Sequence, residues 1–227
     1  MKNSIEKLVL AGVALLAAGI SPNLYVAAQA GYAKLSVLAI NLLLPSIVVL
    51  LGVLLIATIR EHHRLASQIW RGIVGGFLGT IGLEIVRHTG FVLGGMPGEM
   101  PKLMGVLLLD RFALGPNWLS NLAGWGYHFW NGAAFGVVLS VLIGKSKLWV
   151  YVVFALLIGV GFMVSPATTA LGVGIFGLQF NGGFAATVLL AHVAFGLILG
   201  WYLNRTSQSL PSIIQRIRNI TQLGAHS

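Results

Sequence analysis

The chain of 227 residues is 57% hydrophobic and only 8% charged, with a mean hydropathy of +0.90. Soluble domains carry about 25% charged residues, so a soluble fold of this size is excluded and lipid must solvate most of the apolar surface. Cysteine is absent, which excludes disulfides, iron–sulfur clusters and thiolate metal sites and leaves His, Glu and Asp as strong ligands; the net charge of +9 is scattered over segment ends rather than gathered in a soluble domain, which excludes nucleic acid as a partner.

Six apolar segments follow in chain order: Leu8–Ala28, Leu35–Ile59, Ile69–Leu93, Leu119–Ile143, Leu148–Val164 and Phe184–Leu203. A hydrocarbon core needs roughly 20 apolar residues, which the fifth only just supplies. The predicted fold is all-α and polytopic. Residues 1–204 form one bundle of about six transmembrane helices, and 205–227 form a cytoplasmic tail. Six crossings put both termini on one side. That side carries Lys2, Lys7, Arg60, Arg64, Arg71, Lys145, Lys147, Arg205, Arg216 and Arg218, whereas the other has Lys34, Lys102 and Arg111, partly offset by Glu99 and Asp110. The positive-inside rule therefore predicts N-in and C-in.

Ser21-Pro22-Asn23 interrupts the first segment, and Ala28-Gln29-Ala30 has the pattern of a signal-peptide cleavage site. The segment is long for a signal, and Pro22 can kink a helix that stays in place; neither reading alters the remaining topology.

Gly94–Trp118 lies on the outer side. Pro97 and Pro101 break any continuous helix there, and Lys102–Phe112 is expected to form a short one on the surface. Ser165–Gly183, on the same side, carries no charge and is expected to pack on the bundle or re-enter the membrane. In the tail, Ser209 can cap a helix whose Ile213, Ile214, Ile217, Ile220 and Leu223 share one face, with Arg216 and Arg218 placed for anionic headgroups at the membrane surface. Glycines repeat at Gly72, Gly75, Gly76, Gly79 and Gly82 in the third segment. Gly132 with Gly136, and Gly196 with Gly200, give small-xxx-small spacing in the fourth and sixth, so these three helices are expected to form the packed centre.

Three histidines, His88, His128 and His192, fall on three different segments. Counting from the outer end at 1.5 Å per residue sets each roughly 8–15 Å deep. Glu84 is one turn from His88, and Asn131 shares the face of His128. Ionisable groups are expensive in hydrocarbon, so a cluster at one level is the best functional lead. A pocket of Glu84, His88, His128 and His192 would coordinate a divalent metal or haem, or relay protons. Arg87 and Asn131 would orient the ligands, and Glu99 and Asp110 would stand at the mouth of the pocket. The bland reading is structural: the histidines bond neighbouring helices, and Glu84 neutralises Arg87 at three-residue spacing. No HExxH is present to identify a metal. His62 and His63 sit in a polar turn expected to be exposed. Ala191-His192 with Gly196 and Gly200 resembles the histidine helix of rhomboid proteases, but Ser165 lies in Val164-Ser165-Pro166 rather than Gly-x-Ser-Gly, and no catalytic residue is assigned.

Gly76-Phe77-Leu78-Gly79-Thr80, Leu103-Met104-Gly105, and His128 followed by Gly132-Ala133-Ala134-Phe135-Gly136 resemble a group of uncharacterised bacterial multi-pass membrane proteins. The resemblance covers the third and fourth segments and implies a bacterial inner-membrane location, with no activity to carry over. The expected function is a small integral membrane protein that binds or conducts through the His/Glu pocket. The alternative is a structural or assembly subunit, with other membrane subunits or its own copies as partners beside the bilayer; a membrane enzyme comes third.

Overall fold

The computed structural model describes residues 2–206; the proposed amphipathic tail, with Arg216 and Arg218, lies outside the described residues. Every regular element among them is helical. In chain order these are α1 (Lys2–Gln29), α2 (Leu35–Ile59, with a π-helical turn at Ala39–Leu43), α3 (His63–Val92), α4 (Met100–Leu108), α5 (Trp118–Leu142), α6 (Leu148–Met163), α7 (Pro166–Ala170) and α8 (Gly182–Thr206). Four of them, α1 from Ser4 onward, α2, α3 and α8, are long and apolar enough to cross a membrane. The other two expected segments, α5 and α6, do not meet this measure. The 16-residue α6 is short, and α5 is diluted by Asn121, Tyr127, His128 and Asn131.

Glycine decides the packing around α3. A Cβ on Gly72 would lie 2.5 Å from Val137 Cα, and one on Gly136 would lie 2.8 Å from Gly76 Cα, so the α3 and α5 backbones touch. On its other side, Gly75 and Gly79 would each place a Cβ 2.9 Å from the Leu199 and Phe195 side chains of α8. Without side chains at these points, helix axes approach closely and dispersion contacts hold them together. α8 packs in turn on α6, where a Cβ at Gly196 would come 2.8 Å from Val152 Cα. α1 lies against α5 and α2.

Pro22 falls inside α1, which nevertheless runs through it. The Tyr127 hydroxyl from α5 sits at the adjoining step of the ladder: it donates to Ser21 C=O at 2.8 Å and accepts from Tyr25 N–H at 3.2 Å. The Ser21 hydroxyl donates to Asn131 Oδ1 at 2.5 Å. Polar groups freed beside a proline are thus satisfied by a neighbouring helix, as hydrocarbon requires.

α4 starts at Met100, two residues before its expected start, because Pro101 occupies the first turn, where a missing N–H costs nothing. It is not a surface helix. Met100, Met104 and Val106 are buried, and Gly105 meets Gly124 of α5 so closely that a Cβ on Gly124 would be 2.7 Å from Gly105 N. α5 opens on a reciprocal cap in which Asn117 Oδ1 accepts from Ser120 N–H and Ser120 Oγ accepts from Asn117 N–H, each at 2.8 Å. In the uncharged Ser165–Gly183 connection, Ala167, Thr168 and Val173 are buried against the bundle. At the opposite end, α3 begins six residues before the expected start. His62 is buried there, 3.4 Å from Glu6 Oε1, because the N-terminal turns of α1 cover it; the exposed turn expected at this position is corrected for His62.

Candidate functional site

On α3, Gly76, Thr80, Glu84 and Arg87 follow one another at three- and four-residue intervals and so share one side of the helix. That side faces α5 and the bundle interior. Thr80 donates back to Gly76 C=O at 2.9 Å. Glu84 and Arg87 are buried and form a bidentate pair: Arg87 Nε donates to Oε1 at 2.7 Å and Nη2 donates to Oε2 at 2.5 Å. His128, from α5, brings Nε2 to 2.7 Å from Glu84 Oε1, close enough for an ion pair though without hydrogen-bond alignment. An isolated charge at the centre of a bilayer costs about 2.5–3.5 kcal/mol on insertion scales, and the fork removes that penalty by cancelling one charge with the other.

The cancellation leaves one donor over. Arg87 Nη1 is buried and has no hydrogen-bond partner among the described residues. Arg87 and His128 border a half-open cavity of about 410 Å³, whose lining includes the exposed Asn23 and Gly161; Glu84 does not border it. Asn131, already tied to Ser21, borders it too. So does His192 of α8, whose Nδ1 lies 2.7 Å from Val188 O and whose ring fits against Gly159 of α6; a Cβ there would be 2.9 Å from the imidazole Cγ. The rest of the wall is largely apolar. Met96, Met100 and Met104 contribute from the α3–α5 connection, and Pro22 and Tyr25 from the bend of α1.

The structure thus brings Arg87, His128, Asn131 and His192 to one cavity, with Glu84 paired to Arg87 and His128 away from its wall, and it leaves His88 out. His88 is exposed and has Phe91 as its aromatic neighbour. Four residues advance a helix by a full turn plus about 40°. Glu84 already sits at the edge of the buried arc, so that advance carries His88 past the edge, to the side of the exposed Phe77, Ile81 and Ile85. His88 is corrected from a pocket ligand to an outward-facing residue. Glu99 and Asp110 do not border the cavity either. Glu99 pairs with Lys102, and Asp110 lies 2.8 Å from Lys34 Nζ in an exposed bridge between connections.

Metal ligation finds little here. Both oxygens of Glu84 are held by Arg87, whose charge would repel a cation, and no group of three or more His, Asp or Glu among the described residues is placed to hold one. Among the described residues, His128 and His192 are the imidazoles on the cavity wall. What the arrangement offers is directed hydrogen-bond donation inside an apolar chamber. Sequence reading missed the methionine cover, the Ser21–Asn131 bond and the role of Gly159. The four-residue spacing of Met96, Met100 and Met104 was the signal for the first.

Residues 66–212 match the model of a family of unknown function (DUF6789), and the chain belongs to that family. The matched stretch contains Glu84, Arg87, His128, Asn131 and His192, but not Ser21 or Pro22. No curated protein and no solved structure matches the chain.

Proposed function

We propose that this family member is a multi-pass protein of a bacterial inner membrane, N-in and C-in with six crossings, that binds a small molecule in the chamber between α1, α3, α5, α6 and α8. The chamber lies toward the outer side, under the methionine-bearing connection. At about 410 Å³ it falls within the roughly 300–1,000 Å³ of small-molecule sites, and it joins apolar walls to a few directed polar groups as such sites do. The observation that carries this reading is Arg87, which borders the cavity and whose buried Nη1 has no partner among the described residues. Buried donors are nearly always satisfied, so one left over beside a cavity points to an occupant.

This reading replaces metal or haem with an organic ligand, because the Glu84 carboxylate is already neutralised. An assembly subunit has weaker support: the glycine stripes that would carry subunit contacts are filled by helices of the same chain. The test is solvent extraction of the purified protein followed by mass analysis, with elemental analysis alongside. One organic molecule per chain, lost in Gly161→Leu, is expected; Gly161 borders the cavity, and a Cβ there meets nothing within 4 Å among the described residues. Stoichiometric metal, or an extract unchanged by Gly161→Leu, would overturn the reading.

A further inference from the structure

Resting on the small-molecule reading, we infer that the occupant is an apolar, uncharged molecule with a carbonyl-type acceptor, and that this acceptor takes the hydrogen bond of Arg87 Nη1. The argument begins with charge. Arg87 grips Glu84 with Nε and Nη2, so the pair is internally balanced and Nη1 offers a strong donor without a net charge to match. A ligand carboxylate on Nη1 would lie near the Glu84 carboxylate, where like charges in a poorly screened interior repel. A cationic ligand meets the guanidinium and finds no uncommitted carboxylate on the wall. A neutral acceptor is the chemistry that satisfies the donor at no electrostatic cost.

The body of the molecule follows from the remaining walls. Met96, Met100, Met104, Phe135, Phe162 and Phe195 border the chamber. Thioethers and aromatic edges pack well against flat or unsaturated carbon frames. Asn131 and His192 also border the chamber, so a molecule with a second polar atom would find a second contact. Such compounds dissolve in the bilayer, which suits a half-open chamber lined in part by the membrane-length α1, α3 and α8.

The experiment uses four probes with one ring frame: 2-methyl-1,4-naphthoquinone, 2-methylnaphthalene, 2-naphthoate and 2-naphthylmethylamine. Each is titrated into the delipidated full chain in detergent. The quinone should bind roughly tenfold or more tighter than the hydrocarbon, the worth of one hydrogen bond to a charged donor. That ratio should fall to about one in the double variant Glu84→Gln/Arg87→Met, which removes the donor without stranding a charge, whereas Gly161→Leu should weaken every probe that binds. Equal binding of quinone and hydrocarbon overturns the acceptor. Tightest binding of 2-naphthoate overturns the neutral class but leaves the chamber as a site. Binding of none, with Gly161→Leu indistinguishable from the native chain, overturns the chamber reading as well.

Discussion

In Glu84→Leu, the guanidinium of Arg87, whose side chain is 6% exposed, loses both oxygens that its fork grips at 2.7 and 2.5 Å. A charge left unpaired in this way typically costs about 3–5 kcal/mol, whereas exchanging both members of a buried pair for apolar groups ranges from neutral to about 1–4 kcal/mol stabilising. Glu84→Leu/Arg87→Met should therefore recover most of what Glu84→Leu loses. The expected coupling exceeds about 3 kcal/mol, far above the average of about 0.6 kcal/mol measured for single polar contacts between membrane helices. Reversible SDS denaturation of the four proteins, read by Trp fluorescence, measures the cycle. A double variant equal to the sum of the singles within about 0.5 kcal/mol would refute the reasoning. It would mean that the Arg87 side chain can swing to the membrane surface and never depended on Glu84.

His88→Leu should leave ligand binding and denaturation midpoint unchanged, since His88 is exposed; a tenfold loss of probe affinity would return it to the site. Gly76→Ala places a Cβ 2.7 Å from Gly132 C and 2.8 Å from Ala133 Cα, backbone that cannot step aside, and should cost about 1–3 kcal/mol in the same denaturation assay. Gly126→Ala, where a Cβ meets nothing within 4 Å among the described residues, should instead stabilise the helix by up to about 1 kcal/mol. Ser21→Ala should cost about 1–3 kcal/mol by leaving Asn131 Oδ1 without its donor, and Lys34→Ala, in an exposed pair, less than about 1 kcal/mol.

Helix positions were legible because apolar runs of membrane length admit few alternatives. Leu35–Ile59 is the clearest case: its bounds agree with the sequence expectation at both ends. Helical phase was harder. Gly76, Thr80, Glu84 and Arg87 trace the buried side of α3, and a reading that followed the small residues Gly72, Gly76 and Thr80 onward would have centred on Arg87 and set His88 outside. Depth alone could not do so, because residues at one level still point in every direction around the axis. Contacts across helices, such as Tyr127 and Asn131 reaching Ser21, depend on which helices become neighbours, and a single sequence holds no term for that. A ring inside the first turn of α4 or beside a satisfied carbonyl in α1 does not end a helix.

α3 meets α5 and α8 backbone-close on two of its flanks through bare glycines, which makes it a spacer of fixed thickness between them. α5 carries His128 and α8 carries His192, so the width across the chamber from one imidazole to the other is set by positions that touch neither ring. A methyl group added to that spacer would widen the gap without altering any residue on the chamber wall. The dimensions of the chamber are thereby written partly in residues that do not line it.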